Sequence, residues 1–189
     1  MSKLTDKEIR QALKAYLNEL SPKAVLEELR VHNGNAVADV VAIDDCAHCY
    51  EIKGETDEIR RILKQGAFYD QVFPKITLVT TLNHLASASR LAPQHWGVIV
   101  AEHGGSGPIL RQHRQARESS SYDKRLALLT LWRSELVDLC NVRELKAEKL
   151  SRARLSDMIA EDSEANDVSR MIGQLLAQRQ IKSGWPRTI

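Results

Sequence analysis

Apolar residues recur at helical spacing through residues 6–20, DKEIRQALKAYLNEL, where Ile9, Leu13, Leu17 and Leu20 share one stripe. That period predicts a first helix capped by Thr5 or Asp6. Ser21-Pro22 reads as an N-cap followed by proline at the first helical position, which opens a short second helix through Glu27 and Glu28. The period then changes. Asn33-Gly34 is a turn signal, and Leu29 to His32 and Asn35 to Ile43 are expected to pair around it as a hairpin. In the second of these strands Val37, Asp39, Val41 and Ile43 fall on one face, with Ala36, Ala38, Val40 and Ala42 on the other. Both faces are apolar, which marks a central strand. Asp44-Asp45 then turns the chain into a third strand, His48 to Lys53, with Glu51 and Lys53 on one face. Asp39 joins the Glu51 face only if paired residue numbers sum to an even number, as a loop of three or five residues gives.

Beyond Gly54 to Asp57 the pattern predicts a helix of about fifteen residues, with Ile59, Ile62, Leu63, Gly66, Tyr69 and Val72 inward. Gly66 allows it a close approach. Lys75 to Thr81 reads as a buried strand, Leu82 to Leu91 as a helix and Trp96 to Glu102 as a further strand. Strands alternating with helices make residues 1–105 an α/β core, a mixed β-sheet flanked by helices. From Gly104 the chain turns polar, and residues 106–125 read as a loop or linker. Residues 126–189 form a helical C-terminal region: Leu126 to Cys140, Ser151 to Ala160 and Asp167 to Gln180 are amphipathic, and Trp132, Leu136 and Leu139 belong to its core.

Composition narrows the class. The 189 residues are 43% apolar and 28% charged, ordinary for a globular protein. Residues 1–11 are polar and lack a secretory signal, and no apolar run reaches membrane-span length, so a cytoplasmic location is expected. Three cysteines fit a reducing compartment; Cys46 and Cys49 form a CxxC around His48, but no second pair completes a zinc shell. Net charge is +2, with 12 Lys+Arg against 14 Asp+Glu in residues 1–105 and 15 against 11 in the rest. The basic half could hold a polyanion, although a solvated helical face gives the same imbalance. Neither GxxxxGK[ST] nor GxGxxG occurs, and His84, His95 and His103 have no evident catalytic partner.

Candidate chemistry centres on Asp39 and Glu51-Ile52-Lys53. A carboxylate within a Val/Ala/Ile run must be paired, protonated or bound to a cation, because an unpaired buried charge is costly. Mg²⁺ or Mn²⁺ takes oxygen ligands and keeps waters, so Asp39, Glu51 and the Ile52 carbonyl suffice as a protein donor set. Lys53 would then sit beside the attacking water and offset charge on the phosphoryl oxygens. An exposed Glu51–Lys53 cross-strand pair is the simpler alternative for ExK alone.

Asp39, Glu51-x-Lys53 and the helix that follows resemble the PD-(D/E)XK nuclease superfamily, which carries an acidic residue on its second strand and (D/E)-x-K on its third. The leading proline is absent, Val37-Ala38 preceding Asp39. The resemblance implies a restriction-endonuclease-like fold, a metal-dependent phosphodiesterase, and a further metal-binding glutamate on the helix before the sheet; Glu28 matches, with Glu27 the alternative. Gln65 and Tyr69 give QxxxY, which is similar to the RecB-like branch and implies contacts with substrate; four residues apart, the two share a helical face. ADVV, YEIK, ITLVTT, WGVIVAE and LLTLWRSEL together resemble a small bacterial and phage-associated PD-(D/E)XK family with defence-related roles. DNA is the substrate this implies by default, RNA including tRNA stays open, and so do a homo-oligomer or an activating partner. ELVDLCNVRELKAEKLSRARLSDMIAE is similar to a SAP-type nucleic-acid-binding module, a helical bundle or dimer face being the alternative. A nuclease-like scaffold kept only for binding nucleic acid or a partner is the second functional expectation.

Overall fold

A computed structural model describes residues 3–105, 107–142, 147 and 149–182. Six strands form one mixed sheet in sequential order: β1 (Ala24–Val31), β2 (Ala36–Ile43), β3 (Ala47–Ile52), β4 (Lys75–Thr81), β5 (Gly97–Glu102) and β6 (Ile109–Arg114). β1, β2 and β3 run antiparallel, β3–β4 and β4–β5 parallel, and β5–β6 antiparallel. The expected class, a mixed sheet flanked by helices, is the one observed.

One face of the sheet is covered by α1 (Asp6–Glu19). Its Ile9, Leu13 and Leu17 are buried against Val40, Ala42, Tyr50 and Ile52, and a capping box between Thr5 and Glu8 starts it. Leu20, expected on the same stripe, is exposed beyond the helix end. On the other face lie α2 (Ile62–Val72), α3 (Leu82–Leu91), α4 (Lys124–Leu128), α5 (Arg133–Val142), α6 (Arg152–Glu161) and α7 (Ala165–Lys182). Their apolar side chains join Ala24, Ala38, Val41, Ile43, Cys49, Ile76 and Leu78 in one core. No helix among the described residues is long and apolar enough to cross a membrane.

Several expectations need correction. Residues 21–28 do not form a helix: AVLEELRV is β1, paired with β2 from Ala24↔Ile43 to Val31↔Ala36. A complete strand ladder outweighs the Ser-Pro start signal. The helix after Gly54 divides into a 3₁₀ turn, Ile59–Arg61, and the eleven-residue α2, and Leu63 points to solvent at 56% exposure. Gly66 does allow close approach: a Cβ there would lie 2.9 Å from the Trp96 indole. Ile109–Arg114, expected within a linker, pairs along β5 as the sixth strand. Leu126 to Cys140 is broken into α4 and α5, and Trp132 in the break is 59% exposed with the Arg179 guanidinium 4.0 Å above its ring. By contrast β4 and α3 occupy the expected residues. Residues 143–146 and 148, on which much of the SAP-type similarity falls, lie outside the described residues.

Candidate active site at the splayed end of β2 and β3

β2 and β3 meet through the three-residue loop Asp44-Asp45-Cys46, with Val40 opposite Tyr50 and Ile43 opposite Ala47. Paired numbers therefore sum to an even value, and Asp39 falls next to Glu51 in register, as the loop-length condition requires. Beyond Val40↔Tyr50 the pairing stops. There the Ile52 amide donates to Asp39 Oδ2 at 2.8 Å, a carboxylate oxygen taking the place of a strand carbonyl.

The simple alternation expected for β2 does not hold. Ala36 and Ala38 lie in the same core as Val41 and Ile43, whereas Val40 and Ala42 face α1. The switch falls at Asp39, and β1 switches with it: Ala24, Leu26, Leu29 and Val31 face one core, while Val25 faces the other. Between Glu27↔Val40 and Leu29↔Ala38 stands Glu28, at φ 54°. The register is the same on either side of it, so β1 at Glu28 and β2 at Asp39 change face together and both halves of each strand stay in the core.

Glu51 and Lys53 are buried, at 1% and 6% exposure. Lys53 Nζ donates to Glu51 Oε1, and Tyr69 Oη donates to Glu51 Oε2 at 2.8 Å, also lying 2.7 Å from the Val37 carbonyl oxygen. The exposed cross-strand ion pair weighed from sequence is thus ruled out. Burial pushes the Glu51 carboxyl up to about 7, with Asp39 adding to the rise and Lys53 and Tyr69 opposing it. Burial, reinforced by Glu51, raises the Tyr69 phenol, so it stays a hydrogen-bond donor. α2 supplies Tyr69 from the following element, and Thr80 on β4 donates to the Lys53 carbonyl at 3.0 Å, fixing the strand end.

Glu28 stands across from Asp39, between the pairs Glu27↔Val40 and Leu29↔Ala38, without being bonded to this cluster. It lies on a strand, not a helix, is exposed, and makes no hydrogen bond or ion pair with Asp39 or Glu51. Glu27 instead pairs with Lys14 and lies 4.0 Å from Arg10. Ile52 contributes its amide to Asp39, and Gln65, one helical turn before Tyr69, has its Oε1 buried without a hydrogen-bond partner. Among the described residues no group of three or more His, Cys, Asp or Glu side chains converges as a metal cluster.

Sequence reading missed Arg10. It lies one turn into α1 beside Asp6, and its Nη2 is 3.0 Å from Asp39 Oδ1 while Nη1 donates to the Asp39 carbonyl at 2.9 Å. Spacing gives no hint of a contact across 29 positions; only the burial of Ile9 and Leu13 on either side, which lays α1 across β2, brings it there.

A family model described as Bacteriophage P4 protein cII matches residues 2–184. Protein cII of Enterobacteria phage P4 is 26% identical over 141 residues, covering 73% of this chain and 53% of that protein. The chain thus spans about half the length of that curated relative. A solved structure, described as SPO1766 protein of unknown function from Silicibacter pomeroyi, aligns over 88% of this chain and 85% of that one with 16% identity and a TM-score of 0.40.

Proposed function

The chain belongs to the bacteriophage P4 protein cII family, and we propose that it is a cytoplasmic, Mg²⁺- or Mn²⁺-dependent nuclease hydrolysing phosphodiester bonds of nucleic acid. Asp39, Glu51 and Lys53 are its catalytic centre. One observation carries this: Glu51 and Lys53 are buried side by side next to Asp39, where strand pairing ends and the sheet gains nothing from charge. A buried ion pair is weak support for stability, and a perturbed carboxyl such as Glu51 beside a lysine is what a reactive site needs.

The donor set suits a hard cation. Asp39 and Glu51 offer four carboxylate oxygens, each accepting one hydrogen bond and keeping a further acceptor position. One or two carboxylates with waters and substrate phosphate are enough, so a third protein ligand such as Glu28 is unnecessary. When bound, the cation supplies Lewis-acid polarisation of the phosphate and acidifies water. Lys53, anchored on Glu51, orients the attacking water and offsets charge on the non-bridging phosphoryl oxygens. The water oxygen bonds to phosphorus as the bond to the leaving sugar oxygen breaks; bulk water takes the released proton and protonates the leaving oxygen. Tyr69 fixes the Glu51 rotamer through its bond to Oε2, and Gln65, one turn before it on α2, would donate its side-chain amide N–H to the substrate backbone. DNA is the default substrate, RNA or tRNA the variant, and phage defence or DNA processing the setting.

A second reading has its own support. Arg10 already neutralises Asp39, which suits a silent scaffold that binds nucleic acid or a partner. Labelled duplex DNA, single-stranded DNA and tRNA, each with Mg²⁺, Mn²⁺ or EDTA, separate the two when wild type is compared with Asp39→Ala and Lys53→Ala. Metal-dependent cleavage lost in both variants is the expected result. Salt-sensitive binding with no cleavage in any lane would favour the silent scaffold.

A further inference from the structure

Four groups hold the four carboxylate oxygens of the candidate site, and they are unequal. Asp39 Oδ2 is held by a backbone amide, Glu51 Oε1 by its strand neighbour Lys53 and Oε2 by Tyr69 from the packed face of α2. Only Asp39 Oδ1 is held by a long side chain reaching from a different layer, Arg10 on α1. A guanidinium stays charged at any accessible pH, so it can leave a carboxylate only by moving.

A place to move to already exists. Arg10 Nε lies 3.2 Å from Asp6 Oδ1, and Nη1 lies 4.0 Å from Glu27 Oε2, so two more carboxylates stand within reach of the guanidinium. Lys14 Nζ pairs with the other Glu27 oxygen, Oε1. The Arg10 side chain is mostly buried, and its charge at Asp39 opposes any second cation there.

We propose that Arg10 is a displaceable internal counter-ion of the active site. It holds Asp39 while the site lacks a cation, and swings toward Glu27 and Asp6 when a divalent cation takes Oδ1. Arg10 therefore sets the affinity for the metal: it is a positioning residue, acting through Asp39. This rests on the metal-site reading above.

Mn²⁺ titration by calorimetry in the absence of nucleic acid tests it, using wild type, Arg10→Gln, Lys7→Gln and Asp39→Asn. Arg10→Gln should bind at least about ten-fold tighter than wild type, since a like charge at the ligand oxygen is gone. Lys7→Gln removes the same charge from an exposed position of the same helix without touching Asp39 or Glu27, and should stay within about two-fold. Unchanged or weaker binding by Arg10→Gln, or equal tightening by Lys7→Gln, overturns the proposal while leaving the metal site standing. Absence of Mn²⁺ binding in every protein, or binding that Asp39→Asn leaves intact, overturns both. A measurement on unmodified protein guards against a folding defect in Arg10→Gln: the Arg10 side-chain ¹⁵Nε resonance should shift on titration with Mg²⁺, and a resonance that stays fixed while Mg²⁺ binds contradicts the displacement.

Discussion

Glu51 shows how one side chain links burial to chemistry. Its carboxyl is raised to about 7 because the folded protein strips it of water and sets Asp39 beside it. The unfolded chain has the ordinary carboxyl value, so between about pH 4.5 and 7 the folded state holds more proton than the unfolded state. Stability from this group is fully present below that window and is lost as pH rises through about 7, with a slope of at most about 1.4 kcal/mol per pH unit. Urea unfolding in EDTA should therefore show wild type losing stability relative to Glu51→Gln as pH goes from 5 to 8 on the order of this slope. Parallel pH profiles for the two proteins would contradict the perturbed carboxyl. A cation at the proposed site would compete with the same proton, so Mg²⁺ should flatten the wild-type profile.

Among the elements, β1 departs furthest from expectation and has the most direct test. Glu28 holds a left-handed backbone within a strand, a conformation that costs a residue with a Cβ about 1–2 kcal/mol. Glu28→Gly should leave the urea midpoint unchanged or raise stability by up to about 1 kcal/mol, whereas Glu28→Val should lower it. Loss of nuclease activity in a stable Glu28→Gly protein would instead return Glu28 to the metal site. Legibility in the sequence follows the range of the forces involved. β4 and α3 were readable because local apolar pattern and burial agree along them. The Asp39–Glu51 juxtaposition was readable only as a condition on loop parity, which the three-residue loop meets. β1 was not, since Ser21-Pro22 is a local helix signal and the ladder to β2 is a long-range one. β6 was hidden by its composition: an edge strand reading ILRQHR buries little and lacks the apolar signature. Arg10 depends on how α1 lies across the sheet, which no spacing in the chain records.

At the scale of the molecule, the C-terminal helices are structurally continuous with the sheet. Val168, Ile172 and Leu176 of α7 share a core with Ala24, Ile43 and Ala47, and a Cβ on Gly173 would lie 3.1 Å from the Asp45 carbonyl oxygen. Gln180 both accepts from the Val25 amide, at 3.2 Å, and donates to the Val25 carbonyl, at 2.9 Å, closing the edge of β1 as a further strand would. Arg179 ties α7 to Glu135 on α5 and stacks on Trp132. A core shared in this way should unfold as one unit. Calorimetry is expected to show a single thermal transition, and removal of residues 165–189 should abolish it; two resolved transitions would mean that the helical region folds apart from the sheet.

The proposed chemistry is hydrolysis of a phosphodiester by Asp39, Glu51 and Lys53 with a divalent cation. Single-turnover cleavage of end-labelled duplex DNA, single-stranded DNA and tRNA by wild type and Asp39→Asn tests it most directly, because asparagine keeps the shape of the side chain and removes its charge. Wild type should cut at least one substrate with Mg²⁺ or Mn²⁺ and none in EDTA, and Asp39→Asn should leave all of them intact. Equal cleavage by both proteins, or cleavage that persists in EDTA, would contradict it.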